Sequence, residues 1–303
     1  MTNDNRTALV LAAFTADSLA LGPHWIYDTD RIEAEFGRVD SLAAPGSNSF
    51  HQNKEKGDFT HYGDQMLVLL ESVAEKNAFD LKDFSTRWRH LFEAYSGYVD
   101  GATRKTLANF EKGKGPEEAG SPSNDFAGAA RIAPLALPYA NDPDGFIKAA
   151  RSQTAMTHKD EAVVDAAAFF ARVIHGVLHG STPTEAIQKT AEMDAFAMSP
   201  ISMYVESGLK SKGQETLTAI KRFGQACEID QAFPGTVHLI AKYEDDLKEA
   251  LIQSAMAGGD SAARGSMAGT VLAARLGMNG VPREWIEGMN RVDKIRSLID
   301  QFR

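Results

Sequence analysis

Apolar residues recur along most of the chain at intervals of three and four positions, which places them on one face of an α-helix. The clearest example lies between residues 157 and 180, where one apolar stripe consists of Val163, Ala167, Phe170, Ile174 and Val177. Thr157 with Asp160 would form a capping box at the start of this helix, and Gly180 would end it. Because the alternating pattern of β-strands is scarce, the sequence predicts an all-α fold.

The predicted helices span residues 5–21, 64–77, 80–100, 102–112, 126–140, 158–179, 183–192, 214–227, 236–243, 246–257, 261–277 and 284–301. Small residues at three- and four-residue spacing follow Ser261, so we expect that segment to be a central helix. No change of composition divides the chain, and we expect a single compact multi-helix domain over residues 1–303. No repeat with a period of about 20–50 residues is visible, which makes a helical solenoid the less favoured all-α alternative.

Composition and charge exclude several classes of protein. With 43% hydrophobic and 24% charged residues, the chain is typical of a globular protein rather than a disordered one. Its formal net charge is -9 without a basic block, so it lacks the positive field that nucleic acid or an anionic membrane requires. The single cysteine cannot form an internal disulfide, and neither a secretory leader nor a membrane span of ~20 apolar residues is visible. We therefore expect a cytoplasmic protein.

Two aspartates follow glycine at the beginnings of buried helices, Asp64 in THYGDQM and Asp260 in GGDSA. Aspartate at this position commonly caps the helix by accepting hydrogen bonds from its free amides. A preceding glycine also permits a turn that directs the carboxylate into a cavity. Two such acids facing one pocket would bind a hard cation such as Mg²⁺. The cap and the pocket-facing carboxylate are therefore the two interpretations of each residue.

Four further polar residues are candidates for a substrate pocket. Asp17 lies on an otherwise apolar helix, where an unpaired buried carboxylate would be costly, so it should have a partner or line a pocket. His24 follows the end of that helix, and an ordinary loop histidine is its alternative interpretation. His61 and His158 each follow a threonine. We place His158 in the first helical turn, where the helix dipole would keep the imidazole neutral and able to bind a polar group.

The stretch SNDFAGAARIAPL, residues 123–135, is a polar turn that leads into small residues at a predicted helix beginning. Amides at such a position suit a phosphate or a ribose hydroxyl, which makes Asn124 and the amides near Gly128 candidate substrate contacts. The chain lacks the signatures of the dinucleotide-binding fold, the P-loop, the zinc peptidases and the serine hydrolases. Those classes of enzyme are therefore disfavoured.

Together these stretches resemble the ADP-ribosylglycohydrolase family, in order and over nearly the whole chain. ADSLALGPHW looks like the family's opening GDALGxPxE, and GDFTHYGDQM looks like its GxYTDDTxM. SNDFAGAARIAPL is similar to its asparagine-glycine substrate loop, MTHKDEAVVDAA to its serine-histidine helix, and GGDSAARGSMAGTVLAARLG to its GGDTDTxxxxxGAxxGAxxG. The closest similarity is to the branch that includes the J-type jellyfish crystallins.

The resemblance implies the family's all-helical fold and a site in which acids and threonines hold two Mg²⁺ ions. These ions orient the ADP-ribose and the water that attacks its anomeric carbon. Carried over to this chain, the metal ligands would be Thr60, Asp64 and Asp260. The motif nearest the carboxyl terminus, GGDSAARG, has Ala262 where the family has a second acid and Ala263 where it has the following threonine. Because fewer oxygen ligands should weaken metal binding, one Mg²⁺ ion is favoured over two.

Two hypotheses about function follow. In the first, the protein is a hydrolase of glycosidic bonds to ADP-ribose or a related nucleoside-like compound, free or as an ADP-ribosylated substrate. Asp64 and Asp260 would bind the metal or activate water, with a metal-free carboxylate base as a variant of the same mechanism. The substrate would contact Asp17, His24, His61, Asn124, Gly128 and His158. In the second hypothesis, the protein is a non-catalytic ADP-ribose-binding or structural protein that has lost the metal centre.

Overall fold

α-Helices form nearly all the regular structure of the protein, as the sequence pattern predicts. A computed structural model describes residues 3–46 and 48–302, and β-structure in these ranges is limited to isolated bridges. The helices are α1 Asn3–Ala20, α2 Thr29–Phe36, α3 His61–Lys76, α4 Leu81–Glu93, α5 Gly101–Glu111, α6 Ala127–Ala130, α7 Ala136–Tyr139, α8 Pro143–Ala155, α9 Glu161–Leu178, α10 Pro183–Ala191, α11 Ile201–Lys210, α12 Thr216–Phe223, α13 Ile229–Lys242, α14 Leu247–Met256, α15 Ser261–Leu276, α16 Arg283–Glu287 and α17 Val292–Ile299. Short 3-10 helices cover Ala133–Leu135, Asp194–Phe196, Gly277–Gly280 and Asp300–Phe302.

The centre of the fold is the packing of α1 along α15. Both helices are buried over most of their length, residues 8–20 of α1 and residues 261–274 of α15. Gly269 allows the two backbones to approach, because a Cβ atom there would lie 3.2 Å from the carbonyl oxygen of Ala12. The Ser266 hydroxyl donates to the carbonyl of Ala13 over 3.2 Å, which satisfies one buried polar group across the interface. The predicted central helix is therefore found where the small-residue spacing indicated it.

A second layer of helices packs around this pair. α8 packs against α9, α11 against α13, and α9, α13 and α14 all contact α15. The apolar stripe of α9 is buried, as predicted. The predicted capping box is wrong, because α9 begins at Glu161 and Asp160 is its cap, accepting from the amides of Ala162 and Val163. His158 consequently lies in the preceding turn rather than in the helix.

The structure contains helices that the periodicity did not indicate. α2, α8 and α11 were not predicted; α2 and α8 each follow an aspartate that caps them, and α11 follows a proline. The predicted helix over 126–140 is divided into α6, a 3-10 turn and α7, since Pro134 lacks an amide and disfavours the helical conformation in the residue before it. α13 begins at Ile229, well before the predicted start, and continues through Pro234. Its buried neighbours, Phe233 and Val237, offset the lost hydrogen bond.

None of the helices in the described ranges has the length and apolar character needed to cross a membrane.

Candidate active site

Asp260 stands at the beginning of α15, at the end of a turn that only glycine allows. Gly258 and Gly259 have φ angles of 67° and 61°, in the left-handed region. The amide of Gly259 donates to Ile26 over 2.8 Å, and the amide of Asp260 donates to the carbonyl of Gln225 over 2.8 Å. A Cβ atom at Gly259 would lie 2.0 Å from that carbonyl oxygen. The glycine pair therefore sets the backbone position from which the Asp260 carboxylate extends into the protein interior.

The Asp260 carboxylate does not cap the helix that follows it. It occupies the N-cap position of α15, yet it accepts no capping hydrogen bond, and both its oxygens are buried without a hydrogen-bond partner in the described part of the chain. The Ala263 amide lies on the same side but outside hydrogen-bond geometry, and His24 Nδ1 is 3.8 Å from Oδ1. Burial raises the pKa of Asp260 to about 7, and the Arg264 guanidinium offsets only part of this effect. Such a carboxyl exchanges protons near neutral pH.

Three buried histidines, His24, His51 and His61, converge beside Asp260. One ring nitrogen of each lies within 4.8 Å of those of the other two. His51 Nε2 is 3.1 Å from His61 Nδ1, and His61 Nε2 is 3.4 Å from Oδ2 of Asp100. Burial lowers the pKa of His51 and of His61 to about 3, and lowers that of His24 well below its usual value. All three imidazoles are therefore neutral in the folded protein at physiological pH.

Aromatic side chains form the outer wall of this cluster. Trp25 has a φ angle of 64°, which is unusual for a residue with a side chain, and its amide donates to Gly259 over 2.9 Å. Its ring stacks on His24 with 4.6 Å between centroids. Phe50 is 62% exposed and contacts the rings of both Trp25 and Tyr98. The wall therefore presents an aromatic rim to solvent above the buried polar groups.

A second acid, Asp125, responds to the charge of Asp260. Its carboxylate accepts from the Ala127 amide over 2.8 Å and from the Tyr62 hydroxyl over 3.4 Å. Burial raises the pKa of Asp125 well above its usual value, and the negative charge of Asp260 raises it further. The two carboxyls are therefore close enough to titrate as an interacting pair.

Asp17 and Thr60 form a buried pair between α1 and α3. The Asp17 carboxylate accepts from the Thr60 amide over 2.8 Å and from its hydroxyl over 2.6 Å. The same hydroxyl accepts from the Tyr62 amide over 3.1 Å and so caps α3. Burial raises the pKa of Asp17 to about 7 in spite of the two hydrogen bonds with Thr60. Thr60 thus has its hydroxyl fully engaged within the protein.

Asp64 lies in the first turn of α3, and its partners differ from those of Asp260. Its Oδ2 accepts from Lys54 Nζ and from the Tyr95 hydroxyl, each over 2.5 Å. Burial raises the pKa of Asp64, and the ammonium of Lys54 opposes the shift. The interactions described for Asp64 and for Asp260 have no residue in common. The two predicted catalytic acids therefore have different surroundings.

His158 and Gly128 contact each other on another side of α3. A Cβ atom at Gly128 would lie 2.6 Å from Cγ of His158, and His158 Nδ1 is 2.8 Å from the Thr157 hydroxyl. Burial lowers the pKa of His158 to about 3, with the charge of Arg131 as the next cause. Burial, not the dipole of α9, therefore keeps this ring neutral. Asn124 is exposed and its carbonyl accepts from the Ile229 amide over 2.9 Å.

The structure thus joins His24, His61 and Asp260 from the predicted set, whereas the remaining candidates fall into separate groups. Sequence reasoning missed His51, Asp100 and Asp125. His51 lies in a turn-rich loop with no helical period to show which way it faces. Asp125 directly follows the predicted Asn124, so its motif was recognised and the adjacent residue was chosen.

The residues predicted to hold Mg²⁺ do not fit that ion. Magnesium requires near-octahedral oxygen ligands, several of them water, with carboxylates as the usual protein ligands. Thr60 is engaged with Asp17, and the free oxygen that Asp64 would offer sits beside the cationic Lys54. Of the three predicted ligands, Asp260 alone has both oxygens unpartnered among the described residues, and its neighbours are imidazole and guanidinium groups. Thr60, Asp64 and Asp260 therefore do not form a magnesium site in this arrangement.

Fold and site together define an all-helical protein with a buried cluster of acids and histidines at helix beginnings. A sequence profile of the ADP-ribosylglycohydrolase family matches residues 2–303, and the chain belongs to this family. A solved structure described as an ADP-ribosylglycohydrolase-related protein complex superposes with a TM-score of 0.76 at 22% identity, covering 99% of this chain and 97% of that one. The predicted fold class is therefore confirmed, and family membership supports a hydrolase-type function.

Two relatives have names of a different kind. Crystallin J1A of Tripedalia cystophora is 24% identical over 99% of this chain and 96% of its own length. Crystallin J1B of the same organism is 23% identical over 93% of this chain and 91% of its own. An uncharacterised protein of Archaeoglobus fulgidus is 23% identical over 86% of this chain and 83% of its own. Two of these three relatives are therefore named as crystallins.

Proposed function

We propose that this protein is a hydrolase that cleaves a glycosidic bond to ADP-ribose or a related nucleoside-like compound. The observation that supports this most directly is the Asp260 carboxyl, which is buried, unpartnered and close to neutral in its pKa. A side chain with no structural partner is costly to bury, and a pKa near the working pH suits a general base. Asp260 also belongs to the stretch that resembles the family's carboxyl-terminal acid motif.

Asp260 and Asp125 divide the acid and base roles. The Asp260 carboxylate removes a proton from a water molecule, whose oxygen then forms the new bond to the anomeric carbon. As the bond from that carbon to the leaving group breaks, protonated Asp125 donates its proton to the departing atom. Because the charge of Asp260 raises the pKa of Asp125, ionisation of Asp260 favours the protonated form of Asp125. Asp64, which is held by Lys54 and Tyr95, has a structural role in this scheme.

The aromatic rim suits the nucleobase end of such a substrate. Trp25, Phe50 and Tyr98 offer ring faces on which a planar base can stack. In the protein without a bound ion, the neutral imidazoles of His24 and His61 would exchange hydrogen bonds with ribose hydroxyls. Asn124, Asp17 and His158 stay candidate contacts for the remaining parts of the substrate. The Gly128 amide points to the Asp125 carbonyl at 3.4 Å, so we no longer assign it to a phosphate.

The experiment compares the wild type with Asp260→Asn, using Asp64→Asn as the matched control. ADP-ribose binding is measured by calorimetry, and release of ADP-ribose from N-linked and O-linked ADP-ribosyl compounds is measured by chromatography. We expect Asp260→Asn to bind ADP-ribose but to lose at least about 100-fold in kcat, because the general base is gone. Asp64→Asn should keep kcat and lose only stability. Equal losses of kcat in the two variants would refute the assignment of the base.

A non-catalytic ADP-ribose-binding or structural protein is the second candidate. The crystallin names of two relatives favour it, as do Ala262 and Ala263 at positions where the family motif has an acid and a threonine. Wild-type protein that binds ADP-ribose and releases no product from any of the linkages tested would favour this candidate. Absence of both binding and turnover would leave only the structural role.

A further inference from the structure

The histidine cluster has the composition and burial of a metal site. His24, His51 and His61 are each no more than 2% exposed, and the ring nitrogens that face one another lie within 4.8 Å. Both nitrogens of His24, Nδ1 of His51 and Nε2 of His61 have no hydrogen-bond partner in the described residues. Buried polar atoms are ordinarily paired, and each one left unpaired costs free energy. An ion bound between the three rings would satisfy one of the two unpartnered nitrogens of His24 and would replace the contact between His51 Nε2 and His61 Nδ1.

The spacing of the three rings agrees with tetrahedral coordination. Imidazoles that bind one ion at about 2.0–2.1 Å in a tetrahedral set have ring centroids about 5 Å apart. The His24–His51 and His51–His61 centroids are each 5.3 Å apart, and the His24–His61 centroids are 6.3 Å apart. The facing nitrogens of His51 and His61, at 3.1 Å, are already near the separation that two ligands of one zinc ion have. Only a small movement of His24 would complete the set.

We propose that His24, His51 and His61 bind a first-row transition metal ion of the Zn²⁺ class, with a fourth coordination position open toward Asp260. Neutral imidazole suits Zn²⁺, Co²⁺, Ni²⁺ and Cu²⁺, whereas Mg²⁺ prefers oxygen ligands. Three histidines with one open position are also the ligand set of several catalytic zinc sites. The site rests on nitrogen ligands and is separate from the predicted set of Thr60, Asp64 and Asp260.

Two carboxylates are positioned to orient the ligands. Asp100 Oδ2 lies 3.4 Å from Nε2 of His61 but outside hydrogen-bond geometry; a small rotation of either side chain would let it accept a proton from Nε2 and leave the lone pair of Nδ1 toward His51. A carboxylate that accepts from the far nitrogen of a metal-bound histidine is a common second partner in zinc sites. Asp260 Oδ1 lies 3.8 Å from Nδ1 of His24. Asp100 is held in turn by the amide and hydroxyl of Thr103, at 2.6 and 2.9 Å.

Chain segments far apart in sequence hold the three ligands. His24 follows α1, His61 begins α3, and His51 comes from the loop between α2 and α3. A turn from His51 to Lys54 and the Asn290 side chain, which bonds Asp58 over 2.9 Å, tie this loop to the rest of the protein. Metal binding would therefore connect α1, the loop and α3, and should stabilise the native state.

The test titrates full-length, chelator-treated protein with Co²⁺ and follows the visible absorption bands of four- or five-coordinate cobalt. We expect one equivalent of Co²⁺ to bind, Zn²⁺ to displace it, and Mg²⁺ at the same concentration to leave it in place. His51→Ala should abolish the bands. Asp100→Asn keeps the cap of α5, because asparagine is also a good cap, and should weaken binding about 10–100-fold by loosening His61.

A surface histidine pair provides the necessary control. The rings of His175 and His179 stack with 4.0 Å between centroids near the end of α9, and such a pair can bind transition metals on its own. The titration is therefore repeated on a variant with both replaced by alanine, which should keep the bands. Loss of the bands in that variant, with retention in His51→Ala, would overturn the proposal. So would displacement of Co²⁺ by Mg²⁺.

A spectroscopic measurement covers the case in which His51→Ala fails to fold. The Cu²⁺ complex of the variant lacking His175 and His179 is examined by electron paramagnetic resonance. Splitting from three imidazole nitrogens is expected, and splitting from fewer than two would overturn the proposal. None of these measurements requires turnover, so the metal site is tested independently of the proposed hydrolase.

Discussion

Asp64 and Asp260 look alike in the sequence and have opposite surroundings in the structure. Each follows glycine at the beginning of a buried helix. Asp64 accepts from a lysine and a tyrosine, whereas Asp260 is buried with no hydrogen-bond partner among the described residues. An acid that the fold satisfies contributes to stability, and one that the fold leaves unsatisfied costs stability and remains available to a ligand. The comparison separates a structural carboxylate from a functional one.

The largest expected effect concerns the turn that isolates Asp260. In Gly259→Ala, the new side chain meets the left-handed backbone penalty of about 1 kcal/mol and also clashes with the Gln225 carbonyl at 2.0 Å. We expect the free energy of unfolding to fall by about 3 kcal/mol in total, and Asp260 to leave its position. Urea denaturation measures the first effect, and ADP-ribose hydrolysis measures the second.

Gly113→Ala is the matched control for this turn. Gly113 has a φ of 82°, and nothing lies within 4 Å of a Cβ atom placed there. This variant should lose only about 1 kcal/mol, which is the backbone penalty alone. If the two variants lose equal stability, the close approach at Gly259 has no energetic consequence.

The second prediction uses Asp17, which is hydrogen-bonded like Asp64 and fully buried like Asp260. Its pKa is about 7 in the folded state against an ordinary value of 3.8, so the folded state holds the proton more tightly. The resulting stability is present at low pH and is lost as pH rises through 7. Asparagine can keep both contacts with Thr60 and does not ionise. The free energy of unfolding of Asp17→Asn, relative to that of the wild type, should therefore rise by about 2–3 kcal/mol between pH 5 and pH 8.

Chemical denaturation at the two pH values checks this difference. Asp144→Asn, at an exposed position in the first turn of α8, is the control and should follow the wild type at both values. If the difference in unfolding free energy between Asp17→Asn and the wild type does not change with pH, burial does not raise the pKa of Asp17.

How far the sequence predicts the molecule depends on how local the determining contacts are. The stripe of α9 and the small residues of α15 indicate both helices, because each signal lies within one segment. α2 and α8 were missed because their apolar faces are short and their caps are not followed by a clear period. The fold class followed from the pattern, whereas the exact set of helices did not.

The site shows the same dependence on distance along the chain. A buried acid at residue 17 was expected from its apolar neighbours, and a carboxylate turned away from its own helix was one of the two interpretations of Asp260. The partners of Asp64, by contrast, are 10 and 31 residues away, and nothing in THYGDQM indicates that Lys54 will reach it. His51 joins His24 only because a loop folds back onto the end of α1. Such pairings are decided by tertiary packing and leave no periodic signal.

The third prediction concerns the contribution of the Lys54–Asp64 pair to stability, which is measured with Lys54→Met, Asp64→Asn and the double variant. The Lys54 and Asp64 side chains are 14% and 16% exposed, between a surface pair and a fully buried one. We expect Lys54→Met to lower the free energy of unfolding by about 2 kcal/mol, because Asp64 keeps only Tyr95 as a partner. The double variant should lose less than the sum of the two single variants. Strict additivity would show that the pair contributes nothing by its interaction.

The smallest expected effect has the opposite sign and belongs to the functional carboxylate. Asp260→Asn removes a partly ionised group that burial disfavours, so the metal-free protein should become more stable at pH 7. The gain is limited to about 1 kcal/mol, because the amide is also unpartnered and Arg264 loses a counter-charge. Arg264 keeps the bonds from its two terminal nitrogens to the carbonyls of Gln225, Ser254 and Gly258. Thermal unfolding with Asp64→Asn in parallel decides the matter. If Asp260→Asn loses as much stability as Asp64→Asn, then Asp260 is a structural acid. The two glycine-acid turns would then differ in geometry but not in function.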